Sequence, residues 1–131
     1  MQDEDLRSYW SDVTVKPPLR VYEGHRTKTG KCVVTVSAGK KSAPLKLYKS
    51  VVNHSPTGFE WGYAGPTSAQ LALAILMDVL GDKPRAIGWH QSFKRDVIAS
   101  LPQDRWTLTA EQVLATVARL EGPGKGGDRG G

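Results

Sequence analysis

The chain has a single cysteine, Cys32, among 131 residues. No internal disulfide can form, which excludes a cystine-stapled scaffold of the secreted kind. Long apolar runs are also missing. The densest one, Leu71 to Met77, falls far short of the ~20 residues a membrane-crossing helix needs. Met1-Gln2-Asp3-Glu4-Asp5 lacks the basic start and apolar core of a secretory signal. The expectation is a cytoplasmic protein with no membrane partner.

Several chemical signatures are absent as well. His25, His54 and His90 fall on separate elements, and no paired-ligand spacing accompanies them, so no zinc site is expected. No Gly-x-Ser-x-Gly elbow surrounds Ser55, and adjacent residues such as His54 and Ser55 rarely face each other as base and nucleophile. Neither the nucleotide P-loop nor the dinucleotide fingerprint occurs. There is no internal repeat, no helix-turn-helix and no RNA-sheet aromatic motif. The chain is therefore expected to be non-enzymatic, with no cofactor, no metal and no catalytic residues.

What is present is the composition of one folded domain. Hydrophobic residues make up 39% and charged residues 24%, and a chain of this size can bury roughly two thirds of its unfolded surface. Residues 1–18 read as an acidic, flexible extension that ends at Lys16-Pro17-Pro18, where two prolines forbid helix. Within it Tyr9 and Trp10 are placed to dock on the domain or on a partner. Residues 122–131 form a tail with six glycines, read as flexible. Residues 19–121 are left as a single domain.

Its first part reads as strands. Leu19 to Tyr22 is short and mixed. Thr29-Gly30 signals a turn. Cys32 to Ser37 is β-branched, with Cys32 expected as a small buried strand residue. Ala38 to Ser42 reads as a turn, and Pro44 to Tyr48 alternates as an edge strand would. Phe59, Trp61 and Tyr63 alternate like a further short strand.

Helices follow. Ala69 to Leu80 is apolar nearly all round, the mark of a buried central helix, and Gly81 is a natural stop. Pro66 or Ser68 is placed to open it. A second helix is expected over Ala86 to Ser100, with Phe93, Val97 and Leu101 in a stripe and His90 at the core edge. Thr109-Ala110-Glu111-Gln112 fits a capping box that starts a third helix to about Glu121. The fold class is α+β: a small antiparallel sheet within residues 19–63 packed on three helices, the one near 69–80 buried.

The net charge of +5 is uneven. Residues 13–49 carry +8, whereas residues 50–82 hold no Lys or Arg and carry −3. Arg20, Arg26, Lys28, Lys31, Lys40, Lys41, Lys46 and Lys49 make the sheet half basic. One reading is a polyanion-binding face; the other is protection of exposed strand edges. A separate candidate is the aromatic-glycine loop 54–66, where His54, Glu60, Trp61 and Tyr63 are the polar and stacking groups. Its glycines precede a helix directly, but the loop has no lysine, and Glu60 would repel an anion.

His54-Ser55-Pro56-Thr57-Gly58-Phe59-Glu60-Trp61-Gly62-Tyr63 and Ala69 to Asp78 together form a long, unusual block. With Tyr22-Glu23-Gly24-His25-Arg26, Phe93 to Pro102 and Trp106 to Thr109, it resembles the domain of unknown function 6166. That family consists of small uncharacterised proteins of bacteria, plasmids and phages. Its members tend to read Gly-Tyr-Gly-Gly-Ser-Gly-Pro-Ala before the buried helix. Here two of those glycines are replaced and the proline stands two places earlier, in Gly62-Tyr63-Ala64-Gly65-Pro66-Thr67-Ser68-Ala69. The resemblance implies a small cytoplasmic domain, often of mobile elements, and no activity.

Together these readings lead to an accessory protein that binds a macromolecule, nucleic acid or an acidic protein surface, through its basic sheet half. The alternatives are a small-ligand or enzymatic site at loop 54–66 and an interaction or inhibitor protein, such as a phage protein acting on a host factor. A homodimer through an apolar face of the last helix is a further possibility.

Overall fold

The structure, a computed structural model, describes residues 19–122. The acidic extension and the glycine tail after Gly122 lie outside these residues. The described chain is α+β, as expected. Strands β1 (Arg20–Arg26), β2 (Cys32–Ala38) and β3 (Lys41–Pro44) are followed by helices α1 (Pro66–Leu80) and α2 (Lys83–Asp96). A 3-10 turn (Ile98–Ser100), strand β4 (Arg105–Thr109) and helix α3 (Ala110–Glu121) complete it.

The sheet is antiparallel, in the order β3-β2-β1-β4. Tyr22 faces Val36 and Leu108, and Gly24 faces Val34 and Trp106. Side chains alternate across a strand, so these residues share the inner face. Tyr22, Val34 and Trp106 are buried in one core with α1, Phe93 of α2, and Val113 and Val117 of α3. Val21, Glu23 and His25 take the other face.

Helix α1 is the centre of this core. Nine consecutive residues, Ser68 to Leu76, are buried, as expected for a helix apolar on all sides. Pro66 sits in its first turn behind Gly65, where the missing N–H costs nothing. Gly81 ends it at φ 63° and donates its N–H to the Met77 carbonyl. The capping box of α3 forms in full. Thr109 Oγ1 accepts from Gln112 N at 3.1 Å, and Gln112 Oε1 accepts from Thr109 N at 2.9 Å.

Four expectations need correction. The third strand is Lys41–Pro44, not Pro44–Tyr48, and the turn is only Gly39-Lys40. Leu45 still bonds to Val34, but Tyr48 turns to φ 57° and the Leu47 carbonyl is taken by the Gln70 side chain. Helix α2 starts earlier, because Asp82 accepts from Arg85 N and Pro84 suits a first turn. It ends at Asp96, so Val97 and Leu101 are not helical. Residues 59–63 form no strand, and the sheet reaches beyond residue 63 because its fourth strand is Arg105–Thr109. Cys32 is half-buried rather than buried.

Gly24 makes that fourth strand possible. A Cβ there would collide with the indole of Trp106. Trp106 is itself packed edge-on to Trp61, with ring centroids 5.5 Å apart. Gly24→Ala should therefore destabilise the fold by about 1–3 kcal/mol, as overpacked cores do. Urea unfolding of the two proteins checks this, and equal midpoints would refute it.

Candidate functional site

The eight basic residues do not form one uniform patch. Two are held by carboxylates. Arg20 Nη1 donates to Asp78 Oδ2 at 2.8 Å and to the Asp78 carbonyl at 3.1 Å. Arg26 lies 5.0 Å from the Trp61 ring centroid. It donates to Glu60 Oε1 at 2.9 Å, to the Gln103 carbonyl at 2.8 Å and to Gln103 Oε1 at 2.8 Å. Its Nη1 also reaches Cys32 Sγ at 2.9 Å. The Arg26 hydrogen bond holds the Glu60 carboxyl below its usual range against the opposing effect of burial. Burial, with Glu60 beside it, pushes the Cys32 thiol up to about 11, so it stays protonated at neutral pH.

The six lysines differ from the arginines. Lys28, Lys31, Lys40, Lys41, Lys46 and Lys49 are all exposed. Among the described residues none of them pairs with a carboxylate, and Lys49 Nζ reaches only the Pro56 carbonyl at 3.4 Å. Lys28 and Lys31 flank the β1–β2 turn. Lys40 and Lys41 stand at the opposite end, in the β2–β3 turn and at the first residue of β3. Lys46 and Lys49 follow β3 back along β2, with Leu45 N bonded to Val34 O at 3.0 Å. Lys41 and Lys46 are thus separated by roughly 17 Å of extended chain. No Asp or Glu occurs between Gly24 and Phe59, so β2, β3 and the turns that carry these lysines contribute no negative charge.

The four residues of loop 54–66 are each engaged by a different partner. Glu60 belongs to Arg26. Trp61 is fully buried and donates Nε1–H to the Gln103 carbonyl at 2.9 Å. Tyr63 is exposed and hydrogen-bonds the Thr67 hydroxyl at 2.8 Å. His54 turns to His90, with their Nε2 atoms 2.9 Å apart. The structure does not gather the four into one cleft.

Two arrangements carry no local sequence signal. One is the histidine pair. His90 is buried, and its Nδ1 lies 2.7 Å from the Ile87 carbonyl. A carbonyl only accepts, so Nδ1 holds the proton and Nε2 is an acceptor. His54 Nε2–H must then be the donor that ties the loop to α2. The other is Gln70, fully buried in the middle of α1's apolar run. Its Oε1 accepts from His54 N at 2.6 Å and Ser55 N at 2.9 Å. Its amide donates to the Leu47 carbonyl at 2.6 Å and the Val52 carbonyl at 3.0 Å. One side chain thereby pins both ends of the segment that carries Lys49.

The histidine pair makes stability depend on pH. Burial first, then His90 and Lys94, lower the His54 pKa from its usual value. The unfolded chain then takes up a proton at about pH 6.5, and the folded chain only at a lower pH. Stability should fall as pH drops from 7 toward 5, and less so in His54→Gln. Urea midpoints at both pH values test this. Identical pH slopes in the two proteins would exclude His54 as the source. Glu60 acts in a separate, more acidic window: its lowered pKa gives stability that is lost only as pH falls through it.

A family model for proteins of unknown function, DUF6166, matches residues 22–119. The chain belongs to that family. No curated protein and no solved structure matches it. In this DUF6166 domain the matched span runs from Tyr22 within β1 to most of α3, so it includes the six exposed lysines of the sheet half as well as Gln70 and the histidine pair. No described helix of it is long and apolar enough to cross a membrane. No group of three or more metal-ligating side chains occurs among the described residues. The large exposed hydrophobic side chains among these residues, Leu19, Tyr63 and Ile87, do not lie on α3.

Proposed function

We propose that this domain is a non-enzymatic nucleic-acid-binding accessory protein that uses the β2–β3 side of its sheet. The observation that carries this reading is the separation of the basic residues into two kinds. Arg20 and Arg26 are neutralised by Asp78 and Glu60, while the six exposed lysines of the sheet half have no carboxylate partner among the described residues. Long, strongly hydrated lysine side chains on turns suit contact with a phosphate backbone, where they act as point charges rather than as readers of bases. The expected binding is therefore weakly sequence-selective and strongly salt-dependent. A role in bacterial, plasmid or phage biology, in the cytoplasm, is part of the same proposal.

The test is fluorescence anisotropy with labelled single-stranded DNA, duplex DNA and RNA over a range of salt. Binding that persists at physiological salt supports the reading. Binding seen only at low salt, or none, rejects it and leaves an acidic protein surface as the polyanion to seek.

A further inference from the structure

A cleft of about 340 Å³ opens where β1, β2 and β3 meet the C-terminal end of α1. Its polar lining is Arg20, Lys41, Ser42 and Asp78, and its apolar wall is Val36, Ala38 and Ala43. Its size is at the lower end of the range for small-ligand pockets.

The Asp78 carboxylate is already engaged. Oδ2 accepts from Arg20 at 2.8 Å and from the Tyr22 hydroxyl at 2.5 Å, and Oδ1 lies 3.5 Å from the Tyr48 hydroxyl. Burial and the Asp78 contact push the Tyr22 phenol pKa up, so Tyr22 remains a donor to that carboxylate. These bonds fix Arg20 through Nη1 alone. The guanidinium also lies against the Tyr22 hydroxyl, and no further acceptor among the described residues takes its Nε or Nη2. That pair of N–H groups is the side-on fork that matches the two oxygens of a carboxylate or phosphate.

Charge decides between a carboxylate and a phosphate monoester. Arg20 and Lys41 against Asp78 leave the cleft with one net positive charge. A monoanion balances it. A phosphate monoester, close to a dianion at neutral pH, would leave excess negative charge beside Asp78. We infer that this cleft binds a monocarboxylate with a short apolar body, its carboxylate on the free Arg20 fork and beside Lys41, its body against Val36, Ala38 and Ala43. A free organic acid and the C-terminus of a peptide ending in an apolar residue share this chemistry. The inference shares Lys41 with the proposed nucleic-acid surface but rests on the Arg20 fork and the apolar wall, not on that reading.

The test is amide NMR of the full chain titrated with hexanoate, with acetyl-Gly-Gly-Leu, with the C-terminal amide of that peptide, and with hexyl phosphate. The expected result is saturable shifts at Ala38, Lys41, Ser42 and Ala43 with a carboxylate probe, at a Kd on the order of 1 mM. The amide and hexyl phosphate should bind at least about tenfold more weakly. Shifts with the peptide acid only would identify a peptide terminus as the ligand; shifts with hexanoate would identify a free acid. Arg20→Lys, which keeps the charge but not the fork, should weaken binding about tenfold. Ala43→Phe, which fills the wall from an exposed edge, should weaken it as much. No saturable shift at these residues by about 20 mM of either carboxylate, equal binding of acid and amide, tighter binding of hexyl phosphate, or an unaffected Ala43→Phe would each overturn the inference.

Discussion

Gln70→Leu is expected to destabilise the protein by about 3 kcal/mol or more, although it removes no volume and replaces a polar group by an apolar one in a buried helix. The reason is the number of groups left behind. The Gln70 amide uses both its donors and both its acceptor sites, on the N–H groups of His54 and Ser55 and the carbonyls of Leu47 and Val52. Each buried polar group left unpaired costs about 1–3 kcal/mol. Ser55 is buried, so its N–H cannot turn to water without moving the loop. Relaxation of the loop recovers part of the sum, which sets the estimate below four full penalties. For a domain of this size the change corresponds to a fall in Tm of about 12–24 °C. Thermal melts measure it directly. Hydrogen exchange gives a second readout, since the amides of His54 and Ser55 should lose protection while those of α3 keep theirs. A loss under about 1 kcal/mol would mean that the loop is held by something other than Gln70.

Gln70→Glu separates polarity from hydrogen bonding. The carboxylate keeps its acceptors but turns negative oxygen toward the Leu47 and Val52 carbonyls. At neutral pH it should be at least as damaging as leucine. Below the pH at which the buried acid takes a proton, it regains one donor and part of the stability.

The parts of this molecule that read directly from the sequence are those governed by neighbours a few residues away. The run from Ala69 to Leu80 is apolar on every side, and only a central helix can bury it. Thr109 and Gln112 stand three apart, and both capping bonds form. Gly81 stops its helix with the left-handed turn that glycine allows. The parts that did not read are set by distant partners. Strand β4 pairs with β1 from 80 positions away, with Trp106 opposite Gly24, and nothing in Arg105–Thr109 announces that neighbour. Gln70 in an apolar run looks like an ordinary helix residue until Leu47 and Ser55 are brought beside it. His54 and His90 are 36 residues apart. The same holds for the candidate interface. Composition counts Arg20 and Arg26 with the lysines, because Asp78 and Glu60, their partners, lie 58 and 34 residues on. The alternation of Phe59, Trp61 and Tyr63 belongs to a loop wrapped on the core, where Trp61 packs against Trp106 and Arg26 of the sheet without pairing as a strand of it.

That sorting of arginines from lysines leads to the largest effect expected on binding. Changing Lys40, Lys41, Lys46 and Lys49 together to glutamate turns the net charge from +5 to −3 and places four acids in a stretch, residues 24–59, that has none. If each lysine neutralises one phosphate, the slope of log affinity against log salt should shrink by about 3.6, at roughly 0.9 per contact on duplex DNA. Affinity at low salt should fall at least about a thousandfold, since attraction is replaced by repulsion. The four side chains are exposed and unpaired with carboxylates, so the fold should tolerate the change, and surface substitutions of this kind usually move stability by less than about 0.5 kcal/mol each. Arg26→Gln gives the opposite pattern. It removes the Arg26 hydrogen bonds to Glu60 and to the Gln103 side chain and carbonyl and uncovers Trp61, so stability should drop while the salt slope of binding stays the same. If the four lysine changes leave the slope intact, or if Arg26→Gln abolishes it in a folded protein, the contact surface is not the β2–β3 side. A phosphate backbone held by long, mobile lysines gains mostly from released counterions, and that gain disappears with the charges whatever the sequence of the nucleic acid.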